Sequence, residues 1–148
     1  MRIYLDVCCF NRPYDNQAQT RIRIETEAKI IIQKKVKDAE CALLWSSILD
    51  LECSFNPVPA HRMAILQWRT EACDQIMIHE AVLKEARSLL NSGIGSYDAL
   101  HAACAIVGQA DLFVTTDDRL LKRLQAIGRL VAMLPQNALA TIEGWYEN

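Results

Sequence analysis

The chain has 148 residues, 51% of them apolar and 23% charged, with a formal net charge of −2. That length suits one hydrophobic core, burying roughly 68–70% of the unfolded chain's surface, and leaves no room for a second domain of ordinary size. The balance of charge excludes a uniformly basic nucleic-acid binder but not a basic rim around an acidic pocket.

Six cysteines stand at positions 8, 9, 41, 53, 73 and 104, and none forms a C-x-x-C pair. They read as small, reduced hydrophobes of a cytoplasmic protein, with no membrane-spanning run and no secretory leader expected.

In chain order, Ile3-Tyr4-Leu5 is a short apolar run ending in Asp6, followed by a loop, Asn11-Arg12-Pro13-Tyr14-Asp15. Thr20 to Lys37 contains neither Gly nor Pro and spaces Ile22, Ile30, Ile31 and Val36 among charges, which predicts a helix. Cys41 to Trp45 is a second apolar run, and Ser46 or Ser47 caps a helix bearing Asp50 and Glu52 that Asn56-Pro57 stops. His61 to Cys73 reads as a helix and Gln75 to Ile78 as a third strand. A helix from Glu80 to Asn91 is broken by Gly93-Ile94-Gly95, and Ser96 caps the next, from Tyr97 to about Gly108. Leu112 to Thr115 is a fourth strand, and Asp117 opens a helix over Asp118 to Ile127. A last strand near Leu130-Val131-Ala132 leads past Pro135 into a terminal helix. Short apolar runs alternating with helices predict a parallel sheet covered on both faces, in a single domain over residues 1–148.

Ligands of such sheets bind at the carboxyl ends of strands. Asp6, Asp117 and Asp118 fall there, Asp98 lies in the first turn of its helix, and Glu52 lies on the helix after the second strand. Singly, an acid in a first turn needs no purpose beyond the helix dipole, worth ~0.3–1 kcal/mol. Their coincidence is the signal. Arg119, Lys122 and Arg123 share a helix face just beyond Asp117, and Arg12 lies in the loop after Asp6, with Arg21 and Arg23 close behind. These are candidate phosphate contacts, with a solvated surface as the alternative. His101 and Cys104, three apart, lack a second ligand pair and read as core rather than a zinc site.

Four segments carry a resemblance. They are Ile3-Tyr4-Leu5-Asp6-Val7-Cys8-Cys9-Phe10-Asn11-Arg12-Pro13, Ser46-Ser47-Ile48-Leu49-Asp50-Leu51-Glu52, Gly95-Ser96-Tyr97-Asp98-Ala99-Leu100-His101-Ala102-Ala103 and Asp111-Leu112-Phe113-Val114-Thr115-Thr116-Asp117-Asp118-Arg119. In order and spacing the sequence resembles the PIN domain, the nuclease fold of VapC-type toxins. The resemblance implies a three-layer α/β/α sandwich around a parallel sheet of about five strands. It also implies an acidic pocket for Mg²⁺ or Mn²⁺ and hydrolysis of RNA to 5′-phosphate and 3′-hydroxyl ends. Asp6, Glu52, Asp98 and Asp117 match its acids, as metal ligands and catalytic groups, and the basic residues would hold RNA.

Asp50 and Glu52 point about 200° apart on a helix, so only one faces the pocket. Asp118 likewise shadows Asp117, which fits the strand-Thr-x-acid pattern better. PIN domains commonly place Ser or Thr after the first acid, where this chain has Val7. The expected partners are RNA, an antitoxin protein and a second copy in a homodimer whose surface draws on Ile30, Ile31 or Trp68. The alternative, supported by Val7, is a PIN-like RNA-binding or dimerisation module with a weakened or inactive site.

Overall fold

A computed structural model describes residues 1–147. Five strands form one parallel sheet in the order β3-β2-β1-β4-β5. They are β1 (Arg2–Leu5), β2 (Ala42–Ser46), β3 (Ala72–Ile76), β4 (Leu112–Val114) and β5 (Ala132–Met133). The central strands bury both faces: Ile3, Tyr4, Leu5, Leu43, Leu44, Trp45, Phe113 and Val114 are inaccessible to solvent. This is why they read as unbroken apolar runs rather than alternating ones.

The helices are α1 (Val7–Asn11), α2 (Thr20–Lys37), α3 (Ser47–Ser54), α4 (Pro59–Leu66), α5 (Glu80–Asn91), α6 (Ser96–Val107), α7 (Asp118–Ile127) and α8 (Pro135–Glu143). From β1 the chain steps outward through β2 to β3, then crosses to β4 and β5 on the other side. Right-handed crossovers taken in opposite directions put their helices on opposite faces of the sheet, making an α/β/α sandwich. The pairs α2 with α8 and α5 with α6 pack most extensively. The direction of winding switches between β1 and β4, and the crevice above their carboxyl ends is where such sheets receive ligands.

Caps locate the functional helices. The Ser46 hydroxyl accepts from the Leu49 amide to start α3, and Asp117 accepts from the amides of Arg119 and Leu120 to start α7. Gly128, at φ 75°, closes α7 in the left-handed conformation.

Several boundaries differ from those expected of the sequence. The expected loop after Asp6 begins as the short helix α1 and continues as a 3₁₀ turn over Arg12–Tyr14. The expected helix over 61–73 ends at Leu66, passes through a 3₁₀ turn over Gln67–Glu71, and has already become β3 at Ala72. β3 is an edge strand in which only Ile76 is buried, so it lacks the apolar run of a central strand. The last strand is Ala132–Met133, later than expected, and Gly95 rather than Ser96 stands at the cap of α6. Of the residues expected at a dimer surface, Ile30 and Ile31 are exposed, whereas Trp68 packs partly against the core. No helix among the described residues is long and apolar enough to cross a membrane, and the cysteines are free thiols.

Candidate acidic active site

Asp6 is the residue at which β1 ends and α1 begins. It is 3% exposed, yet its carboxylate is well supplied with donors. Its Oδ1 accepts from the Val7 amide at 2.9 Å, and its Oδ2 accepts from the Thr115 hydroxyl at 2.9 Å and lies 3.4 Å from the Cys8 thiol. Burying a carboxylate is tolerable only with such compensation. Thr115, just past the end of β4, also accepts from the Asp117 amide at 3.1 Å. One hydroxyl thus ties the first acid to the loop that presents the fourth.

Glu52 comes from α3. Its Oε1 lies 2.5 Å from His101 Nε2, and the same nitrogen is 3.9 Å from Asp6 Oδ1. His101 is itself fully buried, with Nδ1 2.6 Å from the Tyr4 hydroxyl, which in turn lies 2.7 Å from Ser46 Oγ. One proton arrangement satisfies every member: Ser46 donates to Tyr4, Tyr4 to Nδ1, and Nε2–H to Glu52. Burial above all holds the Tyr4 phenol well above its ordinary pKa, so it keeps the proton this chain requires. Asp50 points elsewhere, accepting from the Trp45 indole at 3.0 Å and from Arg69 at 3.1 Å.

Asp98 and Asp117 line one cleft of about 380 Å³ together with Arg119 and Arg123. Burial pushes the Asp98 carboxyl up to about 6; the charges of Asp6 and Asp117 add to the rise, His101 opposes it, and Glu52 adds a smaller push. Asp98 therefore senses all three other acids. Asp118 is turned away, held by Arg21 in a two-pronged ion pair at 2.7 Å, and its hydrogen bond to Arg21 keeps its pKa below the ordinary carboxylate value.

The basic candidates separate. Arg119 and Arg123 line the cleft, whereas Lys122 does not and lies within the influence of Asp118. Arg123 donates to the Gly93 carbonyl. Gly93 has φ +88°, a conformation that favours glycine, and a Cβ there would stand 2.8 Å from the Arg123 guanidinium and displace it. Arg12 is committed to the fold: it bridges Glu25, which is fully buried, at 2.8 Å and Asp15 at 3.1 Å. Arg21 adds a second contact to Glu25 at 3.4 Å.

Among the described residues, no group of three His, Cys, Asp or Glu side chains stands ready-made to hold a metal ion. Two functional neighbours were not anticipated from the sequence. His101 had a signal, since it lies three residues after Asp98 on the same helix face. Thr115 had a weaker one, two residues before Asp117.

The fold and its acidic crevice define a three-layer domain around a parallel sheet. The sequence matches the PIN domain over residues 3–126, and the chain belongs to that family. No curated protein sequence matches it. In structure it is similar to a chain of the DNA-bound VapBC2 of Rickettsia felis, crystallised with a fragment from their promoter. The TM-score is 0.56 at 18% identity, covering 90% of this chain and 98% of that one. It is also similar to a chain of the DNA-bound VapBC of Salmonella typhimurium. There the TM-score is 0.54 at 15% identity, covering 91% and 98%. At such identity the likeness bears on the fold.

Proposed function

We propose that the whole chain is one divalent-metal-dependent ribonuclease domain that hydrolyses RNA phosphodiester bonds and acts as the toxin of a toxin–antitoxin pair. The observation that carries this reading is the convergence of four acids from separate elements: Asp6 and Glu52 meet the same His101 nitrogen, at 3.9 and 2.5 Å, and Asp98 and Asp117 line one cleft. Acids gathered at the cost of mutual repulsion are poised for a cation.

The donor chemistry fits Mg²⁺ or Mn²⁺, which prefer oxygen ligands; Mg²⁺ in particular keeps several waters beside one or two carboxylates. A ready-made cage of three side chains is therefore not required. Asp6, Asp98 and Asp117 would hold the ion directly or through water, with Glu52 completing the site. Such an ion supplies charge neutralisation at the scissile phosphate and makes water more acidic. Thr115 and the Val7 amide fix the Asp6 carboxylate, and His101 fixes Glu52. Arg119 and Arg123 offer positive charge to the substrate's phosphates, while Lys122 and Arg12 contribute at longer range. The VapBC likeness supports an antitoxin protein as partner, and the exposed Ile30 and Ile31 support a homodimer. A cytoplasmic site of action accords with this reading.

Val7 favours a second reading, an RNA-binding or dimerisation module with a weakened site. Against it, the Thr115 hydroxyl already supplies a side-chain donor to Asp6. The deciding experiment is cleavage of single-stranded RNA with Mn²⁺, with chelator, and by Asp6→Asn. Cleavage seen only with metal and lost in Asp6→Asn sustains the nuclease; RNA bound but never cut sustains the module.

A further inference from the structure

Glu52 also lines a second cleft, of about 460 Å³, which shares no lining residue with the cleft holding Asp98 and Asp117. Its other walls include Asn11, Tyr14, Phe55, Asn56 and His61. Three aromatic side chains in this neighbourhood are left in solvent: Tyr14 at 44%, Phe55 at 59% and Tyr97 at 48% exposure. Tyr14 stacks on His61 with ring centroids 3.6 Å apart and planes inclined by 13°. One face of Tyr14 is therefore covered, and its exposure belongs to the other face and the edge. Phe55 stands 6.4 Å from Tyr97. Exposed rings gathered around a cleft mark a binding surface more often than an accident of folding.

The polar groups narrow the ligand. Asn56 spends its carbonyl oxygen on the Val58 amide at 3.0 Å and contacts Asn11 at 3.4 Å through its nitrogen. That leaves amide N–H groups of both asparagines for a partner. Among the described residues no Lys or Arg lines this cleft, whereas Asp15 and Glu52 do. With Asp15 paired to Arg12 and Glu52 to His101, the lining offers phosphate no cation of its own, and its aromatic and amide groups suit a neutral planar group.

We propose that this cleft is a nucleobase subsite. An unpaired base next to the phosphate held at the acid cluster stacks on Tyr14 and Phe55, with its edge toward Asn11 and Asn56. This rests on reading the acid cluster as a phosphodiesterase site. The two clefts then divide the work: Arg119 and Arg123 hold phosphate on one side of the acids, and aromatic faces hold a base on the other. A base still paired in a duplex cannot enter, so the subsite selects single strands. A hydrophobic protein segment is the rival occupant, but Glu52 lines this cleft, so whatever sits in it lies against one of the four acids.

The test is binding of a fluorescent single-stranded RNA in chelator, so that nothing is cut, with an abasic nucleotide moved through each position. In the wild type one position should weaken binding about tenfold when abasic, as loss of a stacked base does. Tyr14→Leu with Phe55→Ala should bind the intact RNA about tenfold more weakly and lose nothing further at that position. Its salt dependence should match the wild type, because every group that neutralises phosphate is still in place. Both residues are exposed, and the wild-type scan alone can sink the proposal if no position stands out. Equal abasic losses in wild type and variant would overturn it. So would unchanged RNA binding by a variant that instead releases a protein partner. Failure of the wild type to bind any single strand in chelator, or binding without the coupling, overturns the subsite alone; the nuclease reading falls only if RNA is not cleaved with Mn²⁺.

Discussion

The imidazole of His101 joins two residues that never touch: its Nε2 lies 2.5 Å from Glu52 Oε1 and its Nδ1 lies 2.6 Å from the Tyr4 hydroxyl. Tyr4 is buried in the middle of the sheet, so its hydroxyl has no water to turn to. Tyr4→Phe strips a partner from both His101 and Ser46. Leaving such groups unsatisfied costs about 1–3 kcal/mol, which urea denaturation should show as a lower midpoint at unchanged slope. Under the proposed function, activity should fall too, because Glu52 loses the support behind its histidine.

Asp98 has a folded pKa near 6 against an unfolded value of about 3.9, so the folded state resists its ionisation. Stability attributable to this group is greatest below the unfolded pKa and is lost as pH rises through the folded one. Metal-free Asp98→Asn should therefore melt above the wild type at pH 7.5, by about 2–4 °C for each kcal/mol relieved. The gap should close as pH falls from 6 toward 4. Mn²⁺ at a hundredfold excess over its dissociation constant should stabilise the wild type by about 2.7 kcal/mol and the variant much less. A variant that melts lower in chelator and responds to Mn²⁺ like the wild type would make Asp98 a helix-capping acid.

How much of this was legible beforehand depends on position in the sheet. The central strands β1, β2 and β4 announced themselves, because burial on both faces demands consecutive apolar residues, and α2 emerged with both ends correct. The edge strands β3 and β5 were found but with displaced bounds, since one is mostly exposed and the other is two residues long. At the candidate site, Asp6, Asp98 and Asp117 could be picked out by the ends of strands and the starts of helices, and Glu52 only by the resemblance. What supports them was harder to read: Thr115 reaches Asp6 and His101 reaches Glu52 through contacts spanning the fold, which their closeness in sequence to Asp117 and Asp98 only hints at.

Geometry divides the basic rim, and salt dependence should divide it the same way. Arg119→Ala with Arg123→Ala should flatten the slope of log affinity for single-stranded RNA against log salt by about 1.4, or about 0.7 for each phosphate no longer neutralised. Lys122→Ala, outside the cleft, should change the slope far less. An equal effect from Lys122→Ala would mean that the strand runs along the outer face of α7.

Glu25 is inaccessible to solvent and lies between Arg12 and Arg21, the second of which also holds Asp118 beside the α7 cap. Removing one partner of a buried ion pair costs about 3–5 kcal/mol. Both arginines retain access to water, so Glu25→Ala should fall near the lower end of that range. Equilibrium unfolding checks it. A change under about 1 kcal/mol, the scale of an exposed pair, would mean that the arginines find solvent or Asp118 sufficient.

The pairing of β1 with β4 has a bearing on how such a chain is made. Asp6 leaves the ribosome 109 residues ahead of Thr115, its hydroxyl donor, and its amide partner is the Val114 carbonyl just before that. Neither partner exists until that intervening stretch has been synthesised, and closing so long a loop is slow relative to local helix formation. A nascent or prematurely ended chain that stops before Thr115 holds Asp6 without its clamp and without Asp117. Any activity of the acid cluster is thereby withheld from a nascent chain until β4 and the loop after it have emerged.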